Sequence, residues 1–409
     1  MDLRNDCVGV KYNVMEDSQS NNSTTIMDLP DDCLIFIFKW LRDECDRVAF
    51  GLTCSRWLRI QNHNRQSLQF DCSFTCFKLG LSKTPRRIGT FELHRVLTRF
   101  QHLQSLSLSG CVKLPDSGLE LLQFFGSSLR ALHLDCCSEI TDKGLSFVAS
   151  GCPLLRFISL YRCNVTDVGL EILAKSCLGL EDVNLTHCLF TTDHGIRCLV
   201  QNCAHLYGIK INNCRNIKGI GFHGCSQTLA YLEAESCKLE LEGITSMVSG
   251  GGLEYLSVSN LTWSIRGDGL SAIGGGYAKF LRVLNMRLCR TVGDEVVEVI
   301  AKGCPSLVEW NLALCHGIRV AGWESIALNC HNLETLHVNR CRNLCHRGLE
   351  ALKNGCRKLS VLYMSGCPNI STISTELFML SRGDIIKEEE NLATGPKWHL
   401  RWYQRIFVE

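Results

Sequence analysis

Thiols hold most of the chemical capacity of this 409-residue chain, which carries 26 Cys and 13 His. Such a set could form disulfides, bind zinc or supply a nucleophile, and the spacing decides among these. Cys111, Cys137, Cys163, Cys188, Cys214, Cys237, Cys289, Cys315, Cys341 and Cys367 each close the phrase L-x-x-L-x-L-x-x-C; Leu261 replaces the thiol in one copy. Cys152, Cys177, Cys203, Cys304, Cys330 and Cys356 stand three residues before the next copy. A zinc site needs four donors converging on one point, and a line of single thiols does not converge. A nucleophile needs one activated copy, not a row of equivalents. Disulfides between neighbouring rows are geometrically open, because adjacent strands lie about 4.8 Å apart and a bridge accepts ~4.4–6.8 Å. A reducing compartment argues against them, as does Leu261, which would strand a partner. Packing remains: Cys is a small hydrophobe with a weak S–H donor, suited to a turn where a backbone carbonyl would otherwise lie unpaired. No G-x-x-x-x-G-K-[ST], H-E-x-x-H or C-x-x-C is present, and the His are scattered, so no catalytic residue, metal or cofactor is expected.

The elements that position these thiols follow from the same phrase. It starts at Leu103, Leu129, Leu155, Leu180, Leu206, Leu229, Leu253, Leu281, Leu307, Leu333 and Leu359, at intervals of 23 to 28 residues. In the copy from Leu155, Ile158 and Leu160 face one side of a short strand. Thr166 and Asp167 suit a helix cap, and Leu170, Leu173 and Ala174 form one apolar stripe. Neither element buries its apolar face alone, so the units must stack. Period and phrase resemble the cysteine-containing class of leucine-rich repeat. The resemblance implies an α/β solenoid: a horseshoe with a parallel sheet inside and helices outside. Residues 67–74, SLQFDCSF, read as an irregular first strand with Leu68 and Phe70 inward. The units from Leu229 and Leu253 are looser, the latter carrying Trp263 and Gly274-Gly275-Gly276. That glycine run reads either as a contact loop or as a tolerated insertion.

Ahead of the repeats stands MDLPDDCLIFIFKWLRDECDRVAFGLTCSRWLRIQ, residues 27–61. Pro30 suits the first position of a helix and Asp31 and Asp32 its positive end. Leu34, Ile35, Ile37, Phe38 and Leu41 make one apolar stripe, while Phe36 and Trp40 lie on another face. Asp46 reads as the cap of a second helix holding Val48 and Leu52; Trp57 and Ile60 belong to a third. Two apolar faces exceed what so small a segment can bury, which suggests a protein partner. Leu29-Pro30-Asp31-Asp32-Cys33-Leu34, then Ile37-Phe38, Leu41 and Leu52-Thr53-Cys54-Ser55-Arg56-Trp57, resemble an F-box. The whole chain resembles F-box/leucine-rich-repeat proteins, plant members most.

That resemblance implies a substrate receptor of a Skp–cullin–F-box (SCF) ubiquitin ligase, non-catalytic itself, with a Skp-family adaptor and through it a cullin as partners. The adaptor-facing residues would be drawn from Leu29, Pro30, Leu34, Ile37, Phe38, Leu41, Val48, Leu52 and Trp57. The repeats would bind a protein destined for ubiquitination and proteasomal degradation; the alternative is a repeat scaffold outside any ligase. Plant hormone receptors of this architecture use longer inter-repeat loops around a pocket, and no comparable loop stands out here.

On the concave face, outward residues fall four and six positions after each starting leucine and read as polar, with few large anchors. Glu233 and Glu235 read as an acidic spot; Arg287, His337 and Arg340 as a basic one. Tyr161, Arg162, His187, Lys210, Arg287, His337, Arg340 and Tyr363 are the candidate substrate contacts, since Tyr and Arg dominate interface energetics.

A formal net charge of +2 gives no global field selecting nucleic acid or an anionic membrane. The first residues show no secretory pattern and no run reaches the ~18 apolar residues of a membrane span, so nucleus or cytoplasm is expected. The expected organisation is a disordered tail over 1–25, F-box over 26–66, a connecting segment with the irregular repeat over 67–102, eleven repeats over 103–380, and a cap or tail over 381–409. In that tail Glu388–Glu390, Trp398, Trp402, Tyr403 and Phe407 read as a cover for the last repeat or as a partner-binding peptide.

Overall fold

The structure, a computed structural model, describes residues 25–41, 43–70, 88–261, 269–382 and the backbone of 386–387. Trp263, the N-terminal tail to residue 24 and the aromatic residues near the C-terminus lie outside the described residues. The chain divides after Asn64 into two compact units.

Among its described residues, the first unit holds a 3-10 turn (Ile26–Asp28) and three α-helices, α1 (Asp31–Trp40), α2 (Glu44–Thr53) and α3 (Ser55–Asn64). Pro30 takes the cap position, one residue earlier than its sequence preference suggested, and its carbonyl accepts from Cys33 and Leu34. Asp43, not Asp46, caps α2, accepting from the Cys45 N–H at 2.6 Å. Asp46 falls inside the first turn instead, so the aspartate nearer the preceding loop wins the role. Leu34 and Phe38, Phe50, and Trp57 and Ile60 close the core, with Phe50 ring centroids 5.2 Å from Phe38 and 4.4 Å from Trp57. Arg56 ties α3 to the entry of α1, donating to Asp31 (2.7 Å) and to the carbonyls of Met27 (2.8 Å) and Leu29 (2.6 Å).

Among the described residues, the second unit holds a parallel sheet of 13 strands in sequence order, from β1 (Ser67–Gln69) to β13 (Ile386–Lys387). Register is constant: Leu68 pairs with Leu106, Leu106 with Leu132, Leu132 with Ile158, and so on to Leu362. The apolar residue three positions after each starting leucine therefore stacks in one continuous buried row, as a solenoid core requires. Three units return through a helix capped by threonine: Thr141, Thr166 and Thr192 each accept from the N–H two residues on, at 3.2–3.3 Å, whereas Gly293, Arg319 and Cys345 hold the cap place in later units without a side-chain bond. The following aspartate does something else. Asp142 accepts from the Thr166 N–H (2.8 Å) and hydroxyl (2.6 Å), and Asp167 from those of Thr192, so each helix start is bonded to the next.

Looseness is distributed differently from the sequence reading. The unit from Leu229 keeps an α-helix, Leu241–Val248, whereas those from Leu206 and Leu253 turn through 3-10 segments, Ile220–Phe222 and Gly269–Gly274. The 23-residue interval after Leu206 leaves too little chain for a full helix. Gly274 is a packing residue: a Cβ there would stand 2.3 Å from the Val299 carbonyl oxygen.

Candidate partner-binding surfaces

The thiols are packing elements with a bond to make. In nine units the Sγ donates to a backbone carbonyl of the preceding repeat, at 2.9–3.2 Å: Cys137 to Leu108, Cys163 to Leu134, Cys188 to Leu160, and onward to Cys367 with Val338. Burial pushes Cys188 and Cys341 up to about 12 and Cys214 and Cys289 up to about 11, keeping them neutral and unreactive. Among the described residues, Glu171, His194 and Cys198 bring one donor atom each within 4.8 Å. Lys175 already holds the Glu171 carboxylate at 2.6 Å, and burial, then Glu171, raise the Cys198 thiol. This is a poor metal cradle.

On the three-helix unit the nine sequence candidates separate. The sequence left open which of them hold the helices together, and Leu34, Phe38 and Trp57 do: they are buried in the unit's own core, where helix packing needs its largest side chains. Leu29, Ile37 and Leu41 are half-buried, and Pro30, Val48 and Leu52 exposed. Leu52 is 79% exposed, and Phe36 and Trp40 are each 62% exposed with ring centroids 6.0 Å apart. The apolar surplus read from the sequence is thus real, and its aromatic part lies off the buried stripe.

The concave face differs from its reading as a polar surface with few anchors. Residues two positions after each starting leucine also face this side, and they include Phe157, Tyr231 and Tyr255, buried with Ala131 and Val283 in a second apolar cluster. Tyr231 and Tyr255 stack at 4.3 Å with planes 9° apart. The period of two along a strand was the available signal.

The presumed acidic spot is internally compensated. Glu233, only 6% exposed, receives Lys210 (3.2 Å), Asn212 (2.6 Å) and the Tyr231 hydroxyl. Glu235 accepts from Ser257 (2.6 Å) and Asn285 (3.4 Å). His337 leaves the basic spot, pairing with Glu309 at 3.3 Å and stacking on Tyr363 at 4.2 Å. At the other end Tyr161 meets His187 edge-on at 5.6 Å, with the Arg162 guanidinium 5.3 Å above its ring.

Sequence reasoning named Arg162, His187 and Arg340 but missed the turn that holds them. The residue seven after each starting leucine is left-handed in every unit; Arg162, His187 and Arg340 have φ of 57°, 63° and 57°, and Gly110 and Gly366 hold the equivalent place. These turns close by bonds such as Cys163 N–H to Leu160 carbonyl, 3.0 Å. Basic residues thus project from a fixed backbone.

Comparison with known proteins places both units. Residues 26–66 match the F-box-like family, and residues 101–122 and 127–149 the Leucine Rich repeat family. The chain is 53% identical to F-box/LRR-repeat protein 12 of Arabidopsis thaliana, covering 94% of this chain and 98% of that protein. It is 24% identical to Coronatine-insensitive protein homolog 1b of Oryza sativa subsp. japonica, over 68% of this chain and 51% of that one. Among solved structures it resembles the Rad7 and Elc1 complex of yeast, with 18% identity, a TM-score of 0.42, and coverage of 84% of this chain and 90% of that chain. At 53% identity over nearly the whole length, this chain belongs to the F-box/leucine-rich-repeat family.

Proposed function

We propose that this protein is the substrate-recognition subunit of an SCF ubiquitin ligase, with the three-helix unit docking a Skp-family adaptor and the repeat array holding a protein for ubiquitination. The observation that carries the reading is the exposed apolar set Phe36, Trp40, Val48 and Leu52 above a core already closed by Leu34, Phe38, Phe50, Trp57 and Ile60. Side chains of that size left in water in a folded unit are the mark of a partner surface. In this reading Leu29, Pro30, Ile37 and Leu41 border the contact, and Leu34, Phe38 and Trp57 support it from beneath. Tyr161, Arg162, His187, Arg287 and Arg340 are the foremost substrate contacts; Lys210, His337 and Tyr363 shape the surface beside them. Ubiquitin transfer belongs to the assembled ligase, in nucleus or cytoplasm, and this chain supplies geometry and affinity. Among the described residues, no helix is long and apolar enough to cross a membrane.

Co-purification with a Skp adaptor tests the reading. The intact chain should retain the adaptor, and Trp40→Glu with Leu52→Glu should lose it while keeping its helical content. An intact chain that retains no adaptor would leave only a repeat scaffold.

A further inference from the structure

Sequence reading grouped Arg287 and Arg340 with His337; the structure pairs His337 with Glu309 and sets the two arginines beside a further row. The register pairing Asn285 with Asn311, and Asn311 with His337, aligns three successive units. It brings Arg290, His316 and Arg342, all nine residues after a starting leucine, into one row along the rim. Arg287 and Arg340 flank that row. Adjacent units lie about 4.8 Å apart, so the row spans roughly 10 Å. Its frame is rigid, because the turns are bonded to one another: Leu288 N–H to Ala313 carbonyl and Leu314 N–H to Asn339 carbonyl at 2.9 Å, and Arg340 N–H to Ser365 carbonyl at 2.8 Å.

Like charges on neighbouring units repel one another unless an anion joins them. Burial, then Arg342 and Arg290, hold His316 below the ordinary imidazole range, as expected inside a cationic patch. Among the described residues, none of the four arginines makes an ion pair. Arg287 Nε is buried without a hydrogen-bond partner. Neighbouring carboxylates are committed elsewhere: Glu309 to His337, Glu235 to Ser257 and Asn285, and Asp294 to the N–H groups of Arg319 and Gly322.

We propose that this rim, with Arg290 and Arg342 in its row and Arg287 and Arg340 beside it, binds an acidic stretch of the protein delivered to the array. The proposal rests on the receptor reading above and names the chemistry of what is received. Guanidinium forks match carboxylate or phosphate oxygens, and a span near 10 Å fits about three residues of extended peptide. A nucleic acid fits less well: the patch is short, its row offers no Phe, Tyr or Trp for base stacking, and the chain as a whole carries only +2.

Fluorescence polarisation on the full chain tests it, with four labelled probes: a Glu/Ser peptide, its phosphoserine counterpart, a Lys/Ser peptide and a uridine homopolymer. Both acidic peptides should bind, weakening as salt rises, and their ratio identifies whether carboxylate or phosphate is the better anion. Arg290→Glu with Arg342→Glu should weaken them by about tenfold, an effect of several lost ion pairs. Lys302→Glu with Arg347→Glu, an equal charge change on the outer helices, should leave them unchanged; Arg290→Gln with Arg342→Gln is the milder variant should the reversal perturb folding. Equal loss in the outer-helix control, no loss in the rim variants, or tighter binding of the homopolymer would overturn the proposal. Adaptor co-purification of the same preparations is scored separately, so failure of the receptor role and failure of acidic recognition are distinct results.

Discussion

Cys163 donates its Sγ–H to the Leu134 carbonyl oxygen at 3.0 Å, across the boundary between two repeats. The same carbonyl accepts the Cys137 N–H that closes its own turn, at 3.0 Å. One buried oxygen thus fastens the turn of one unit and the thiol of the next. Cys163→Ala removes a donor and opens a small cavity, so it should destabilise the array by about 1–2 kcal/mol. A lowered urea midpoint with unchanged slope would check it; no change would mean that the thiols fill volume only.

The thiols also set an alkaline limit. Burial raises Cys152, Cys188, Cys203 and Cys304 to about 12 and Cys177 to about 11. In the unfolded chain a thiol titrates near about 8.5. Below that pH both states hold the proton and the thiols' full stabilisation is present. Above it the unfolded state loses protons that the folded state keeps, so stability falls with rising pH until the folded values are reached. Thermal unfolding followed from pH 7 upward should show a plateau to about pH 8 and then a steep decline. A flat profile to about pH 11 would contradict the burial of these groups.

In the three-helix unit, interior and surface should respond oppositely. Trp57→Ala removes a side chain packed on Phe50 and should cost about 3–5 kcal/mol, enough to unfold so small a unit. Leu52→Asp, at a position 79% exposed, should change stability by under about 0.5 kcal/mol. Circular dichroism of the two variants separates them, and the Leu52 variant is then a clean reagent for adaptor binding.

Much of this was legible because repetition multiplies a weak signal. The starting leucines, the thiol rows and the caps Thr141, Thr166 and Thr192 recur at a fixed period, so core and register follow from counting. Choosing Asp43 over Asp46 as a cap was not legible, because both aspartates satisfy the local rule and only backbone geometry separates them. The concave face was half legible. Lys210, Glu233 and His337 fall on the expected strand parity, yet their exposure depended on residues two places after a starting leucine, Tyr231 and Glu309 among them. Arg290, His316 and Arg342 fell outside the strand pattern and needed the left-handed turn to be seen as one row.

Asp142 and Gly169 form a pair that a mutant cycle can read. A Cβ on Gly169 would lie 2.4 Å from Asp142 Oδ1, the oxygen that accepts the Thr166 N–H. Gly169→Ala should therefore push the carboxylate off its donors and cost about 2 kcal/mol despite alanine's better helix propensity. With Asp142→Ala already in place, that bond is gone and the added methyl should cost much less. A coupling energy near zero would mean that the glycine is needed for some contact other than the aspartate ladder.

Lys210 and Glu233 form a second coupled pair, on the concave face. Glu233 is 6% exposed and lies 3.2 Å from Lys210. Lys210→Met leaves the carboxylate with Asn212 and Tyr231 as donors but without its cation, and should cost about 3 kcal/mol. Glu233→Gln in addition removes the uncompensated charge and keeps the amide within reach of the tyrosine, so the double variant should regain most of that loss. Chemical denaturation of the two variants decides it. Full recovery in the double variant assigns Lys210 the role of holding Glu233 in place; no recovery would mean that its ammonium group stabilises something other than that carboxylate.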